Sequence, residues 1–217
     1  MIRPGNARVR RTLEEVCDPR HMALLVYDMQ VGVVGQIADA RRVTERVASV
    51  LRAARAAGVR TLFTRHTTLP IELTGSGGLR TAMDWQRTDD VDELVSTFPP
   101  DAPGTALIPE LAPRPGEAVF DKLTMSAFVG TPLELTLRDA GIEAFAIIGV
   151  ALEVGIEPTV RHGLDLGFLP VVVTDACGIG NAEAGARSLA QLAWFGGSIQ
   201  ADTATLTSLL AASAGGS

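Results

Sequence analysis

Short apolar runs alternate with stretches of helical periodicity along most of this chain. Met22 to Tyr27 (MALLVY) is apolar throughout and ends in Asp28-Met29-Gln30. A run of that length without polar interruption suits a parallel strand buried on both faces. Val43 to Ala57 repeats apolar residues at helical spacing and stops at Gly58, a helix terminator. Val59 to Thr64 reads as the next strand, which completes a strand–helix–strand unit. Thr67 to Pro115 breaks the rhythm. It is rich in proline and glycine and reads as a long excursion with a short helix or two, the kind of segment that lies near a functional edge.

Regularity returns at Ala118 to Asp121, a short strand. Pro132 to Ala140 is predicted helical and closed by Gly141, and Ile142 to Gly149 is a strand. Val154 to Leu166 is a helix closed by Gly167, and Phe168 to Thr174 is a strand. Ala182 to Phe195 is a helix, Ser198 to Gln200 a last short strand, and Thr203 to Ala212 a final helix. Alternation of this kind predicts a single α/β domain, a mostly parallel sheet with helices on both faces. In such sheets ligands bind beyond the carboxyl ends of the strands, at a topological switch point. The domain is expected over residues 21–212, after an N-terminal arm (1–20) and before a short flexible tail (213–217), with no carrier domain appended.

Composition narrows the partners. The chain has 217 residues, 47% of them hydrophobic, enough for one sizeable core. With 19 basic against 25 acidic residues the net charge is −6, which disfavours nucleic acid, because phosphate binding needs clustered Lys and Arg. Arg3, Arg8, Arg10 and Arg11 read as a solvated arm. No apolar run is long enough to span a bilayer, and no signal core precedes Met22. Cys17 and Cys177 form neither a CxxC pair nor a Cys/His cluster, so no structural zinc is expected and a reducing, cytoplasmic setting is.

Three strand ends carry the candidate chemistry. Asp28 lies just past the first strand and Lys122 just past the strand at 118–121. Gly149 to Gly155 follows another strand and opens a helix, whose backbone N–H groups favour an anion or a developing oxyanion. The segments LLVYDMQVGV (24–33), DKLTMSAF (121–128) and GVALEVGIEPTVRHGLDLGFLPVVVTDA (149–176) together resemble the three motif regions of the isochorismatase-like, or cysteine hydrolase, superfamily. The resemblance covers most of residues 20–205. It implies a six-stranded parallel sheet in a Rossmann-like three-layer fold and a site built from Asp, Lys and Cys. On that pattern the Asp is Asp28 and the Lys is Lys122. A non-proline cis peptide falls at Val150–Ala151, and the oxyanion donors are the N–H groups of Ala151 and Gly155.

The nucleophile's position is held by Gly155, so amide hydrolysis through a thioester does not carry over. Isochorismatases, which the resemblance also includes, have Gly there and cleave a vinyl ether by protonation and water addition. Asp28 would then be the general acid, although burial raises an Asp pKa while a neighbouring Lys lowers it, so its state stays open on sequence. Ala151, Gln30 of the DMQ motif, Arg65, His66 and Phe128 are the candidates for contact with substrate. Arg65 or His66 suits a substrate carboxylate, whereas Phe128, like Trp194, is more commonly a core or interface residue. Cys177, in the run DACGIGN, is a candidate relocated nucleophile, with burial as an inert thiol the commoner case; Cys17 reads as packing. His66 stands without a second ligand at metal spacing, so no catalytic metal and no cofactor is expected. Arg80, Trp85, Gln86 and Arg87, in the long excursion, either cover the site or belong to a solvated loop, and Arg161 and His162 face solvent or a neighbouring subunit.

Three functions compete. The first is a cysteine-independent hydrolase acting on a small anionic enol ether. The second is a C–N hydrolase using direct water attack or the relocated thiol. The third is a non-catalytic binding protein of the same fold. A homodimer or homotetramer is the expected assembly.

Overall fold

The computed structural model describes residues 9–214. In chain order the elements are α1 (Leu13–Val16), β1 (Met22–Tyr27), α2 (Val31–Val34), α3 (Ala40–Ala56), β2 (Arg60–His66), α4 (Ser76–Gln86), β3 (Ala118–Lys122), α5 (Leu133–Asp139), β4 (Ala144–Val150), α6 (Glu157–Asp165), β5 (Leu169–Gly178), α7 (Ala182–Phe195), β6 (Ile199–Ala201) and α8 (Thr203–Ala214). The six strands form one parallel sheet in the order β3-β2-β1-β4-β5-β6. Every residue of β1 and β4 is buried, as their unbroken apolar runs require of central parallel strands.

The period-two alternation of the strands divides the core. Leu24 and Val26 pack under α3 and α8, whose Val43, Val47, Val50, Leu206 and Leu210 form the first apolar layer. Ala23, Leu25 and Tyr27 face the other way, against Leu133 and Leu137 of α5, Val160 of α6 and Leu192 of α7. Helix α3 ends where expected, at Gly58 in the left-handed region (φ 71°).

Part of the segment expected to be a solvated arm belongs to the domain. Leu13, Val16 and Cys17 are buried in the first layer, and Thr12 and Glu15 form a reciprocal capping box on α1. Arg10 pairs with Glu143 at 2.6 Å; Arg3 and Arg8 lie outside the described residues. No helix among the described residues is long and apolar enough to cross a membrane.

Strand order reverses between β1 and β4, because the chain moves outward through β2 and β3 and then returns to β4 on the other side of β1. The crevice at that switch point opens beyond the carboxyl ends of the two strands. Asp28 follows one of them and Ala151 the other.

Candidate active site

Asp28 is the first residue past β1 and turns the chain with φ 45°, a left-handed conformation that Asp tolerates better than most residues. The turn holds its carboxyl over the sheet end, only 4% exposed. The Thr64 hydroxyl of β2 donates to Oδ1 at 2.6 Å, and Lys122 Nζ pairs with Oδ2 at 2.6 Å. Lys122 ends edge strand β3, two strand spacings or roughly 10 Å from β1, so its long side chain must cross over β2 to reach the carboxylate. Nζ also donates to the Thr124 carbonyl at 3.1 Å and lies 4.4 Å from the centre of the Tyr27 ring. Burial raises the Asp28 pKa above its ordinary value, against the opposing pull of Lys122, Thr64 and Tyr27. The same burial lowers Lys122, opposed by Asp28. The two shifts bring the pair's affinities for a proton closer together.

The third wall comes from β4. Gly149 has φ 125°, and a Cβ there would overlap the Tyr27 carbonyl oxygen, so only glycine lets the two strands approach. Val150–Ala151 is a cis peptide, at the place the family resemblance puts it. A single π-helical turn, Leu152–Ile156, then leads into α6. Within that turn the Gly155 N–H donates to the Ala151 carbonyl at 3.1 Å. The amide expected as an oxyanion donor is therefore already engaged by the wide turn.

Asp28, Lys122, Ala151 and Gly155 line one cavity of about 450 Å³, in the range of small-molecule sites. His66 lines it too. Its Nδ1 is buried without a hydrogen-bond partner, and burial next to Lys122 lowers its pKa to about 4, so the imidazole is neutral at physiological pH. Residues Asp84 to Arg87, at the end of α4, supply the outer wall. Of the two readings open for this segment, Trp85, Gln86 and Arg87 fit a cover over the site, while Arg80 is not part of its lining.

Three residues expected to contact substrate have other work. Gln30 is fully buried with its amide spent on the backbone: it donates to the His66 and Thr105 carbonyls at 2.9 and 3.0 Å and accepts from the His66 N–H at 2.6 Å. It ties β2 to the long excursion. Arg65 forms a two-point ion pair with Asp121, directly opposite it on β3, at 2.7 and 2.8 Å. Phe128 stacks on Phe168 and meets Phe145 edge-on, inside the second core layer. None of the three lines the cavity.

Cys177, the candidate relocated nucleophile, is buried and does not line the cavity. It lies within β5, which runs four residues further than expected because 177 and 178 pair with Gly149 and Val150 past a register irregularity. The thiol is buried against the Ile147 carbonyl (3.7 Å), and burial pushes its pKa up to about 12, so it supplies no thiolate. Cys17, also buried, is raised to about 12 by burial and by Glu14. Trp194, expected in core or interface, stands 79% exposed at the end of α7. Arg161 pairs with Glu157 on its own helix, and His162 is half-buried, 3.0 Å from the Ser126 hydroxyl. No group of three His, Cys, Asp or Glu side chains with metal-binding geometry occurs among the described residues.

Sequence reasoning missed Tyr27. Its hydroxyl sits in the cavity wall beside Gly155 and donates to the Met125 carbonyl. A polar tip on the last residue of an otherwise apolar strand was the available signal.

A buried Asp–Lys pair thus stands at the switch point of this six-stranded sheet. Residues 22–204 match the Isochorismatase domain, and the chain belongs to that family. Among curated relatives, the ureidoacrylate amidohydrolase RutB of Stutzerimonas stutzeri is 29% identical over 71% of this chain and 68% of its own length. The RutB of Methylorubrum extorquens is 32% identical over 62% of this chain, and the match spans only 56% of that protein. Among solved structures, a putative hydrolase of the isochorismatase family from Chromobacterium violaceum aligns with TM-score 0.71 and 28% identity, covering 90% of this chain and 96% of the other. A cysteine hydrolase from Pseudomonas syringae pv. phaseolicola shares the fold with TM-score 0.75 at 24% identity, covering 91% and 96%.

Proposed function

We propose that this isochorismatase-family hydrolase works without a covalent intermediate and cleaves a small anionic enol ether, with Asp28 first giving and then recovering the key proton. The observation that carries this reading is the buried Asp28–Lys122 pair facing a glycine at the nucleophile's position. A carboxyl whose pKa burial has raised is suited to be protonated when substrate arrives. The proton passes from Asp28 to the terminal enol carbon, and the double bond becomes an oxocarbenium ion. Water then bonds to the ether carbon and returns a proton to Asp28. The resulting hemiketal breaks its C–O bond, releasing an alcohol and a ketone, which is pyruvate when the substrate is isochorismate. Lys122 balances the carboxylate formed midway.

A second reading, hydrolysis of a C–N bond by direct water attack, is favoured by the names of the relatives. It needs Asp28 as base and two free amides for the oxyanion, and the Gly155 amide is engaged by Ala151. Incubation with isochorismate and, separately, with ureidoacrylate decides between them. Pyruvate from the first is the expected result; ammonia from the second, with no pyruvate, would replace this reading with the other. Release of neither product, with binding retained, would favour a binding protein.

A homodimer or homotetramer and a cytoplasmic setting belong to the same reading. The first is supported by the exposed Trp194 and Phe195 at the end of α7 and the second by two unpaired buried cysteines. Light scattering at micromolar concentration is expected to give at least twice the protomer mass of 22.8 kDa; a single-protomer mass would remove the assembly.

A further inference from the structure

A Cβ built on Gly155 would overlap the Tyr27 hydroxyl oxygen and lie 2.6 Å from Cε1 of its ring. Tyr27 therefore fills the volume that any side chain at 155 would enter. Both ends of the residue are accommodated by glycine, its backbone by Gly149 and its phenol by Gly155. We propose that Tyr27 and Gly155 are a complementary pair, in which the Tyr27 hydroxyl takes the nucleophile's place and positions the hydrolytic water against Asp28. The second half of this inference rests on the non-covalent reading above; the first half does not.

The chemistry of the hydroxyl supports the water role. A phenol has one proton to donate, and Tyr27 gives it to the Met125 carbonyl. Burial, reinforced by the Asp28 charge, pushes the phenol pKa well above its usual value, so it stays protonated and keeps that bond. With that proton committed, the phenol oxygen acts as an acceptor, with the Thr159 hydroxyl as one donor to it. The adjacent Asp28 carboxylate, with one bond each from Thr64 and Lys122, also retains lone pairs. The Tyr27 hydroxyl also stands within hydrogen-bond reach of the Asp28 carboxyl, a contact that raises the phenol and lowers Asp28. A water that donates one proton to Tyr27 and the other to Asp28 must turn its own lone pairs toward the substrate. That is the orientation needed to attack the oxocarbenium carbon while Asp28 takes the proton.

The two halves are tested separately. In the first arm, Gly155→Cys is made alone and together with Tyr27→Val, and both proteins are exposed to iodoacetamide. The single variant is expected to lose about 5 °C or more of Tm through overpacking, whereas the double variant accepts the introduced thiol, which alkylates. The native Cys17 and Cys177 are buried and give a low background. A single variant as stable as the wild type, and alkylated as readily as the double, would overturn the pairing. In the second arm, Tyr27→Phe is compared with wild type on whichever of isochorismate and ureidoacrylate the wild type turns over. The expected result is a fall in kcat of about 10-fold or more with KM within about 3-fold. An unchanged kcat in a folded variant would overturn the water role. Turnover of neither probe by the wild type would overturn that role together with the parent reading, and the alkylation arm would still decide the pairing.

Discussion

Asp28→Asn is expected to lower turnover by about a hundredfold or more while changing substrate binding far less. The substitution keeps the size of the side chain and an acceptor for Lys122 or Thr64, so the cavity wall is preserved. What it removes is the ability to give and recover a proton. The direction of the pH dependence then separates acid from base. Burial raises the Asp28 pKa. If Asp28 acts first as an acid, its active form is the protonated one, so kcat/KM for an enol ether falls as pH rises through that raised pKa. If Asp28 acts as a base on an amide, the active form is the carboxylate and the same limb rises with pH. In either case the limb disappears in Asp28→Asn. A variant with wild-type kcat would remove Asp28 from the chemistry, and a limb that survives the substitution would assign it to another group.

Much of this arrangement was legible in the sequence, for identifiable reasons. β1 and α7 fall at the expected residues because an uninterrupted apolar run and a sharply bounded amphipathic stretch leave little ambiguity. Gly58, Gly141 and Gly167 stop their segments with positive φ, a local property of the residue. Helix α4 was harder. It carries two glycines in its first turn and buries no residue fully, so neither propensity nor periodicity marks it clearly. The extension of β5 through Cys177 depends on a register irregularity against β4, a tertiary feature.

The site divides in the same way. Asp28 and Lys122 follow strand ends, and topology alone brings such residues together. Gln30 and Arg65 were misread because their partners are distant in sequence, whereas Phe128 took the core place that its residue type favours. His66 and Thr105 for Gln30, Asp121 for Arg65 and Phe168 for Phe128 satisfy each side chain before a ligand arrives. The engaged amide of Gly155 belongs to a π-helical turn, and the reach of Tyr27 into its place comes from a strand distant in sequence; no short motif encodes either.

Lys122→Ala is expected to be the most destabilising single change in the site. It leaves the Asp28 carboxyl buried with the Thr64 hydroxyl but without its counter-charge, and breaking a buried pair in this way costs about 3–5 kcal/mol. The loss should depend on pH. Without the cation, burial raises the folded-state pKa of Asp28 further above that of the unfolded chain. A group raised in this sense takes up a proton on folding, so its stability contribution is present at low pH and is lost as pH rises through the folded pKa. The deficit of Lys122→Ala relative to wild type therefore shrinks as the solution is acidified from pH 7 towards the ordinary Asp range. Adding Asp28→Asn removes the stranded charge, so the double variant at pH 7 should be more stable than Lys122→Ala alone, a strongly non-additive cycle. Urea unfolding of the four proteins at pH 7 and pH 5 measures all of this. Equal stability of Lys122→Ala and wild type at both pH values, or strict additivity in the cycle, would mean that the pair is not energetically coupled. Catalysis gives an independent reading of the same residue. Because Lys122 both shapes the charge around Asp28 and lines the cavity, its removal should raise KM and lower kcat together, unlike Asp28→Asn, whose effect falls on kcat.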